Sequence, residues 1–217
     1  MNITTAADAT ATLRPVWRDV LATSYRALTE VVEGIGDDQW QLPTSCSEWD
    51  VTQVIQHAVG DQLAYAEALG IGTGPAYNPF APSGAIDGTA AELVRDAVEQ
   101  TAIAWATVTD ESETVPTPLP HGALPTPVAA VMCALDAAVH AWDIAIATGQ
   151  PSPLNDELAG HLLTAARTAN PAPGGGPEAE IVAPLRQWGV YAAIVDGEPG
   201  DTVVAELLRY LGRDPRA

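Results

Sequence analysis

Two acids and a histidine interrupt an apolar stretch near the middle of the chain, "AVMCALDAAVHAWDIAIATG", which runs from Ala130 to Gly149. Asp136 and His140 are four residues apart, and Asp143 follows three residues later. In a helix this spacing places the three side chains on one flank, beside the apolar stripe. A carboxylate and an imidazole that border a core must be hydrogen-bonded to each other or hold a metal ion. The spacing alone leaves both interpretations open, together with simple surface polarity.

A third candidate ligand lies in another predicted helix. His57 falls on the flank of an apolar stripe that includes Val54 and Ile55. Helical bundles commonly build metal sites from side chains on facing helices. With Asp136 and His140, His57 would complete a set of two histidines and one carboxylate that leaves positions open for water or substrate. The periodicity does not establish that the two helices face each other at this height.

The other reactive side chains have plainer interpretations. Asp143 could orient a ligand histidine from behind, or cap a neighbouring backbone group. Cys133, one helical turn before Asp136, could be a fourth ligand or a redox group, but a buried free cysteine usually serves packing. Cys46 is expected to be structural, His121 a solvated loop residue, and His161 a surface or packing group.

Five helices and a short terminal one are predicted to position these residues. Hydrophobic periodicity and stop signals place the helices at about residues 6–33, 51–69, 89–108, 127–148 and 155–169, with the last one within 200–215. Pro15 interrupts the first run and is an alternative start for it. Asp50 and Gln53 have the spacing of a capping box at the start of the second helix.

The segments between these helices are rich in glycine and proline. Residues 70–84 and 110–127 are predicted to be irregular connections, and residues 190–195 a short strand or an extended segment. Four long helices with long connections predict an all-α, four-helix bundle over residues 1–150. Residues 151–217 are expected to form a small helical extension that packs on the bundle.

The composition narrows the classes of partner. Nine basic and 28 acidic residues give a net charge of −19, which disfavours binding to nucleic acids or anionic membranes. Two distant cysteines do not make a disulfide framework. No signal peptide and no uncharged apolar run of about 18 residues is evident, so a cytoplasmic protein is expected. Three C-terminal cations could meet an anionic ligand, but no pattern selects them: Arg186, Arg209 and Arg213.

The segments "PTSCSEWDVTQVIQHAVG" and "ALDAAVHAWDIAIATGQP", with the tail "LLRYLGRDP", resemble the DinB-like metal-binding bundles. They are most similar to the actinobacterial branch related to the N-terminal domain of mycothiol-dependent maleylpyruvate isomerase. This resemblance covers nearly the whole chain and implies a DinB-like bundle that binds a divalent metal through His57, Asp136 and His140. The isomerase typically has Glu at the position of Asp136, and its separate C-terminal domain looks absent or much reduced.

The resemblance also implies a chemistry. Zn²⁺ is the first expectation for the metal, with Ni²⁺ and Fe²⁺ as alternatives, and mycothiol is the expected thiol co-substrate. A metal-bound thiolate could then serve an S-transferase or an isomerase, although no separate general base can be named. The alternatives are a non-catalytic metal- or small-molecule-binding protein and a metal-dependent hydrolase. The expected partner is a small-molecule substrate, and a homodimer is one arrangement that such bundles adopt.

Overall fold

The computed structural model describes residues 4–171, 178–187 and 189–216, and helices form its core. The helices in chain order are α1 (Ala6–Leu13), α2 (Trp17–Glu33), α3 (Val51–Ala68), α4 (Ala90–Ala106), α5 (Thr126–Ala147), α6 (Asp156–Ala166), α7 (Val182–Gln187) and α8 (Val203–Tyr210). The strands are β1 (Thr114–Pro116), β2 (Ala123–Pro125), β3 (Ala169–Pro171) and β4 (Glu178–Glu180). The predicted all-α class is confirmed.

The four long helices form a closed ring of neighbours. α2 packs on α5, α5 on α3, α3 on α4, and α4 returns to α2. α5 is the central helix, since every residue from Thr126 to Ala145 is buried. Its many alanines allow neighbouring backbones to approach closely. This arrangement puts α3 and α5, the two helices that carry the candidate ligands, side by side.

The start of α3 follows the predicted pattern. The Asp50 carboxylate accepts a hydrogen bond from the Gln53 backbone N–H at 2.9 Å, and the Gln53 side chain accepts one from the Asp50 N–H at 3.1 Å. These two bonds satisfy backbone donors that the first helical turn leaves free. The capping box therefore fixes where α3 begins, two turns before His57.

The run predicted as one first helix is divided in two. α1 ends at Leu13 and α2 begins at Trp17, with Pro15 in the turn between them. Proline has no backbone N–H to continue the helical ladder and its ring clashes with the preceding turn. The Val16 N–H instead bonds to the Leu13 carbonyl at 3.0 Å, which closes a tight turn.

One connection predicted to be irregular contains a hairpin. β1 and β2 pair antiparallel, with Val115 opposite Leu124 and both side chains buried. Gly122 has φ +76°, a conformation that favours glycine. β3 and β4 form a second short pair. Residues 190–195, predicted as a strand or an extended segment, contain no assigned strand.

The segment after α5 packs back on the bundle. α6 contacts α5, α1 and α8. The division of the chain into a bundle and an extension stays a prediction. Among the residues that the structure describes, one helix, α5, is long and apolar enough to cross a membrane by length and composition, but 94% of its most apolar window is buried inside the protein.

Candidate metal centre

The three predicted ligands meet between α3 and α5. His57 comes from α3, and Asp136 and His140 come from α5. The Oδ1 atom of Asp136 lies 3.8 Å from His57 Nε2 and 3.5 Å from His140 Nε2. All three ligand atoms lie within 4.8 Å of one another, and all three residues are buried. The structure thus brings together the residues that the sequence hypothesis requires.

A backbone carbonyl in the connection between α3 and α4 determines which ring nitrogen of His57 carries the proton. His57 Nδ1 lies 3.0 Å from the Pro79 carbonyl oxygen. A carbonyl oxygen only accepts hydrogen bonds, so Nδ1 is the donor. In its neutral form the ring therefore has its lone pair on Nε2, the nitrogen that faces Asp136.

The Asp143 carboxylate likewise determines which ring nitrogen of His140 carries the proton. His140 Nδ1 lies 2.9 Å from Asp143 Oδ2, and Arg213 donates to both oxygens of Asp143 at 2.8 and 2.7 Å. Burial alone would raise the pKa of Asp143, but the Arg213 guanidinium holds that pKa well below its usual range. An ionised carboxylate only accepts, so His140 donates from Nδ1 and has its lone pair on Nε2. Burial lowers the pKa of His140 to about 4, which keeps the ring neutral at pH 7.

A fourth polar group borders the site, and the sequence pattern had not been used to predict it. Asp61 follows His57 by one helical turn, and its Oδ2 atom lies 3.8 Å from His57 Nε2. Its side chain is 23% exposed, more than that of any of the three predicted ligands. The spacing of four residues between His57 and Asp61 equals the spacing that singled out Asp136 and His140, so the signal was present.

The second carboxylate oxygen of Asp136 accepts a hydrogen bond from a buried side chain, that of Gln62. Gln62 Nε2 donates to Asp136 Oδ2 at 3.3 Å, and Gln62 Oε1 accepts from Cys133 Sγ at 3.2 Å. Cys133 also lies 3.5 Å from the Tyr25 hydroxyl. Burial raises the pKa of Cys133 to about 12, so the thiol stays protonated. These contacts agree with the packing interpretation of Cys133.

The charge of the site favours a cation. Asp136 is buried and lies near Asp61, and burial followed by this second carboxyl raises the pKa of Asp136 well above its usual range. In the described part of the chain, the ion pairs of both acids are with imidazoles alone. Buried carboxylates of this kind are paired or coordinate metals.

The donor set also fits a divalent ion in chemistry and in size. Zinc takes imidazole nitrogen and carboxylate oxygen at about 2.0–2.2 Å, so tetrahedral ligand atoms lie about 3.4 Å apart. The observed separations of 3.5 and 3.8 Å from Asp136 need only a small contraction. Three protein ligands leave at least one position for an external ligand.

A second cluster of potential ligands shares His140 but does not suit a cation. Cys46, His140 and Asp143 also place ligand atoms within 4.8 Å of one another. The Arg213 guanidinium lies against this cluster, with Nη2 at 3.6 Å from Cys46 Sγ. Burial raises the pKa of Cys46 to about 12, so it is a thiol at neutral pH. The cluster already contains a fixed positive charge and instead supports His140.

Two aromatic rings lie close to the His57 ring. The centroid of the Trp49 ring lies 4.7 Å from that of His57, and the Phe80 centroid lies 5.2 Å away. Phe80 belongs to the connection between α3 and α4 and is 52% exposed. His121 and His161 belong to neither of the two clusters that the described residues form.

Comparisons with known proteins identify the family of this chain. The family model described as "Mycothiol maleylpyruvate isomerase N-terminal domain" matches residues 21–145. Two uncharacterized proteins of Mycobacterium tuberculosis, from strains CDC 1551 / Oshkosh and ATCC 25618 / H37Rv, are each 35% identical over 141 residues. Each alignment covers 65% of this chain and 72% of the relative. No solved structure matches the chain. The matched region includes all three candidate ligands, and the chain belongs to the mycothiol maleylpyruvate isomerase N-terminal domain family.

Proposed function

We propose that this chain binds one divalent metal ion through His57 Nε2, an Asp136 carboxylate oxygen and His140 Nε2. One observation carries the proposal: both imidazoles donate from Nδ1 to a fixed acceptor, and both turn Nε2 toward the same carboxylate oxygen. A hydrogen-bonded Nδ1 is the usual way in which proteins orient a metal-binding histidine. Zn²⁺ is the first candidate for this nitrogen and oxygen set, with Ni²⁺ and Fe²⁺ as alternatives.

We further propose that the centre acts with a low-molecular-weight thiol of the mycothiol type, as an S-transferase or an isomerase. The family membership supports the class of thiol. A bound divalent metal would keep such a thiol in its thiolate form at neutral pH. The chain's own residues would fix the three ligands, and Trp49 and Phe80 would line the approach to the open position.

Elemental analysis of the purified protein tests the metal site. We expect about one divalent ion per chain in the wild type, and loss of stoichiometric metal in His57→Ala and in His140→Ala. His161→Ala is the matched control, since His161 lies on α6 outside both clusters. Stoichiometric metal in His57→Ala or His140→Ala would refute the proposed ligand set.

Cobalt substitution tests the role of the thiol. A thiol that coordinates Co²⁺ should add a thiolate-to-metal charge-transfer band. The loaded protein should consume thiol in the presence of electrophiles if it is an S-transferase, and should isomerise a cis alkene without net consumption of thiol if it is an isomerase. If none of these changes occurs with mycothiol or a related thiol, the proposal of a thiol-dependent activity is wrong. Ester hydrolysis by the same protein would instead favour a hydrolase, and metal binding without either activity would favour a binding protein.

A further inference from the structure

We propose that Arg213 is a positioning residue for this centre. Its guanidinium fixes the Asp143 carboxylate, which holds the proton of His140 on Nδ1 and leaves Nε2 free to bind a metal. The effect on metal affinity rests on the proposed function, whereas the effect on His140 concerns the chain alone. Arg213 lies outside the residues that the family model matches.

The contact between Arg213 and Asp143 has the geometry of a strong pair. Arg213 Nε donates to Asp143 Oδ1 at 2.8 Å and Nη2 donates to Oδ2 at 2.7 Å. The third nitrogen, Nη1, donates to the Leu211 carbonyl at 3.2 Å. The Asp143 side chain is fully buried and that of Arg213 is 9% exposed. Bidentate guanidinium–carboxylate pairs fix orientation as well as charge.

This pair decides which atom of His140 is the donor. Asp143 Oδ2 accepts from Arg213 Nη2 and also contacts His140 Nδ1 at 2.9 Å. Since a guanidinium has donors only, both carboxylate oxygens act as acceptors. The remaining contact is then satisfied only when His140 carries its proton on Nδ1. Arg213 thus acts on the ligand nitrogen through Asp143, without touching the proposed metal position.

The end of α8 directs Arg213 toward α5. The Arg213 N–H bonds to the Leu208 carbonyl at 2.9 Å and the Gly212 N–H to the Arg209 carbonyl at 3.0 Å. These two bonds form a Schellman motif, with Gly212 in the left-handed conformation at φ +83°. The motif reverses the chain and orients the arginine side chain toward the bundle. The cap of a C-terminal helix thereby contributes to a site on α3 and α5.

Histidine NMR on the metal-free protein tests the proposal. Long-range ¹H–¹⁵N spectra distinguish the two neutral tautomers, and comparison with His140→Gln assigns His140 among the four histidines. We expect the Nδ1–H form in the wild type and a mixture of tautomers in Arg213→Ala. Metal affinity should fall about 10- to 100-fold in that variant, the usual effect of losing a partner behind a ligand. Added guanidinium ion should restore the Nδ1–H form.

Two further variants separate positioning from general packing. Arg213→Lys retains the charge without the fork, so we expect it to remain folded and to recover the affinity only in part. Arg209→Ala is the matched control: Arg209 is also buried and near the end of α8, but pairs with Asp201 at 3.0 Å. It should leave the His140 tautomer unchanged.

Three results would overturn the proposal. The first is a folded Arg213→Ala that keeps the wild-type tautomer and affinity. The second is the same tautomer change in Arg209→Ala. The third, should Arg213→Ala not fold, is an Arg213→Lys variant with wild-type tautomer and affinity. A tautomer change in a protein that binds no metal would refute the metal centre and support the positioning of His140.

Discussion

Asp136 would supply the only anionic ligand of the proposed set, which makes it the sharpest single-residue test. Asp136→Asn keeps the shape of the side chain and a carbonyl oxygen that can accept from Gln62. It removes the anionic ligand, so we expect metal affinity to fall at least about 100-fold by titration against a chromophoric chelator. Without metal, the variant should be as stable as the wild type or up to about 1 kcal/mol more stable in urea, because it removes a carboxyl whose ionisation is disfavoured by burial and by Asp61.

Asp61→Asn is the matched comparison for this variant. It makes the same change of charge one helical turn from His57, at a more exposed carboxylate. We expect it to weaken metal binding by only about 10-fold, as for a group that supports a ligand. If Asp136→Asn binds metal as tightly as Asp61→Asn does, the assignment of Asp136 as the ligand is wrong.

The residues of the site differ in how far the sequence could identify them. Asp136 and His140 share one helix, so their spacing alone put them on one face. Asp61 has the same relation to His57 and was within reach of the same reasoning. Arg213 was not, because its contact with Asp143 spans 70 residues and depends on the path of the chain after α8. Local periodicity contains no information about such a contact.

At the level of elements, the connection between α3 and α4 packs closely against α3 where Pro79 meets Gly60. A Cβ atom added at Gly60 would lie 2.6 and 2.8 Å from two ring atoms of Pro79. Pro79 is also the residue whose carbonyl accepts from His57. Gly60→Ala should therefore displace this connection and weaken metal binding about 10-fold or more. Alanine would otherwise favour the helix by about 1 kcal/mol, so the loss would be due to the contact.

Gly160→Ala on α6 is the control for this prediction. A Cβ atom there would meet only Val203 Cγ1, at 3.9 Å. We expect that variant to be about 0.5–1 kcal/mol more stable in urea unfolding, with unchanged metal affinity. Wild-type metal affinity in Gly60→Ala would show that Pro79 does not hold His57 in its binding orientation.

The elements themselves were predictable to different degrees. α3 had a capping box and a clear apolar stripe, and α5 had a long apolar run, so both were located within a residue or two. The β1–β2 hairpin was not predicted, because each strand has three residues and includes a proline. Such strands lack the alternation that identifies a strand in sequence. Val115 and Leu124 are buried in the hydrophobic core, and this packing stabilises a hairpin whose strands are too short to be stable alone.

The whole molecule combines an acidic surface with a buried acidic site, and these two features attract cations differently. The net charge of −19 attracts any divalent ion weakly, in a way that salt screens. The candidate centre would instead hold one ion against two helices of the ring, α3 and α5. An ion bound there contacts groups that separate on unfolding, so binding free energy becomes stability of the fold.

Metal binding should therefore stabilise the protein against heat. At a free Zn²⁺ concentration 100-fold above the dissociation constant, the expected gain is about 2.7 kcal/mol, which raises the Tm of a chain this size by roughly 5–10 °C. Calorimetry in 0.5 M NaCl with Zn²⁺, then with excess chelator, measures this shift and its reversal. His57→Ala should show no shift under the same conditions, whereas His161→Ala should respond as the wild type does. An equal shift with Ca²⁺, or an undiminished shift in His57→Ala, would mean that the acidic surface binds the ion and the buried site does not.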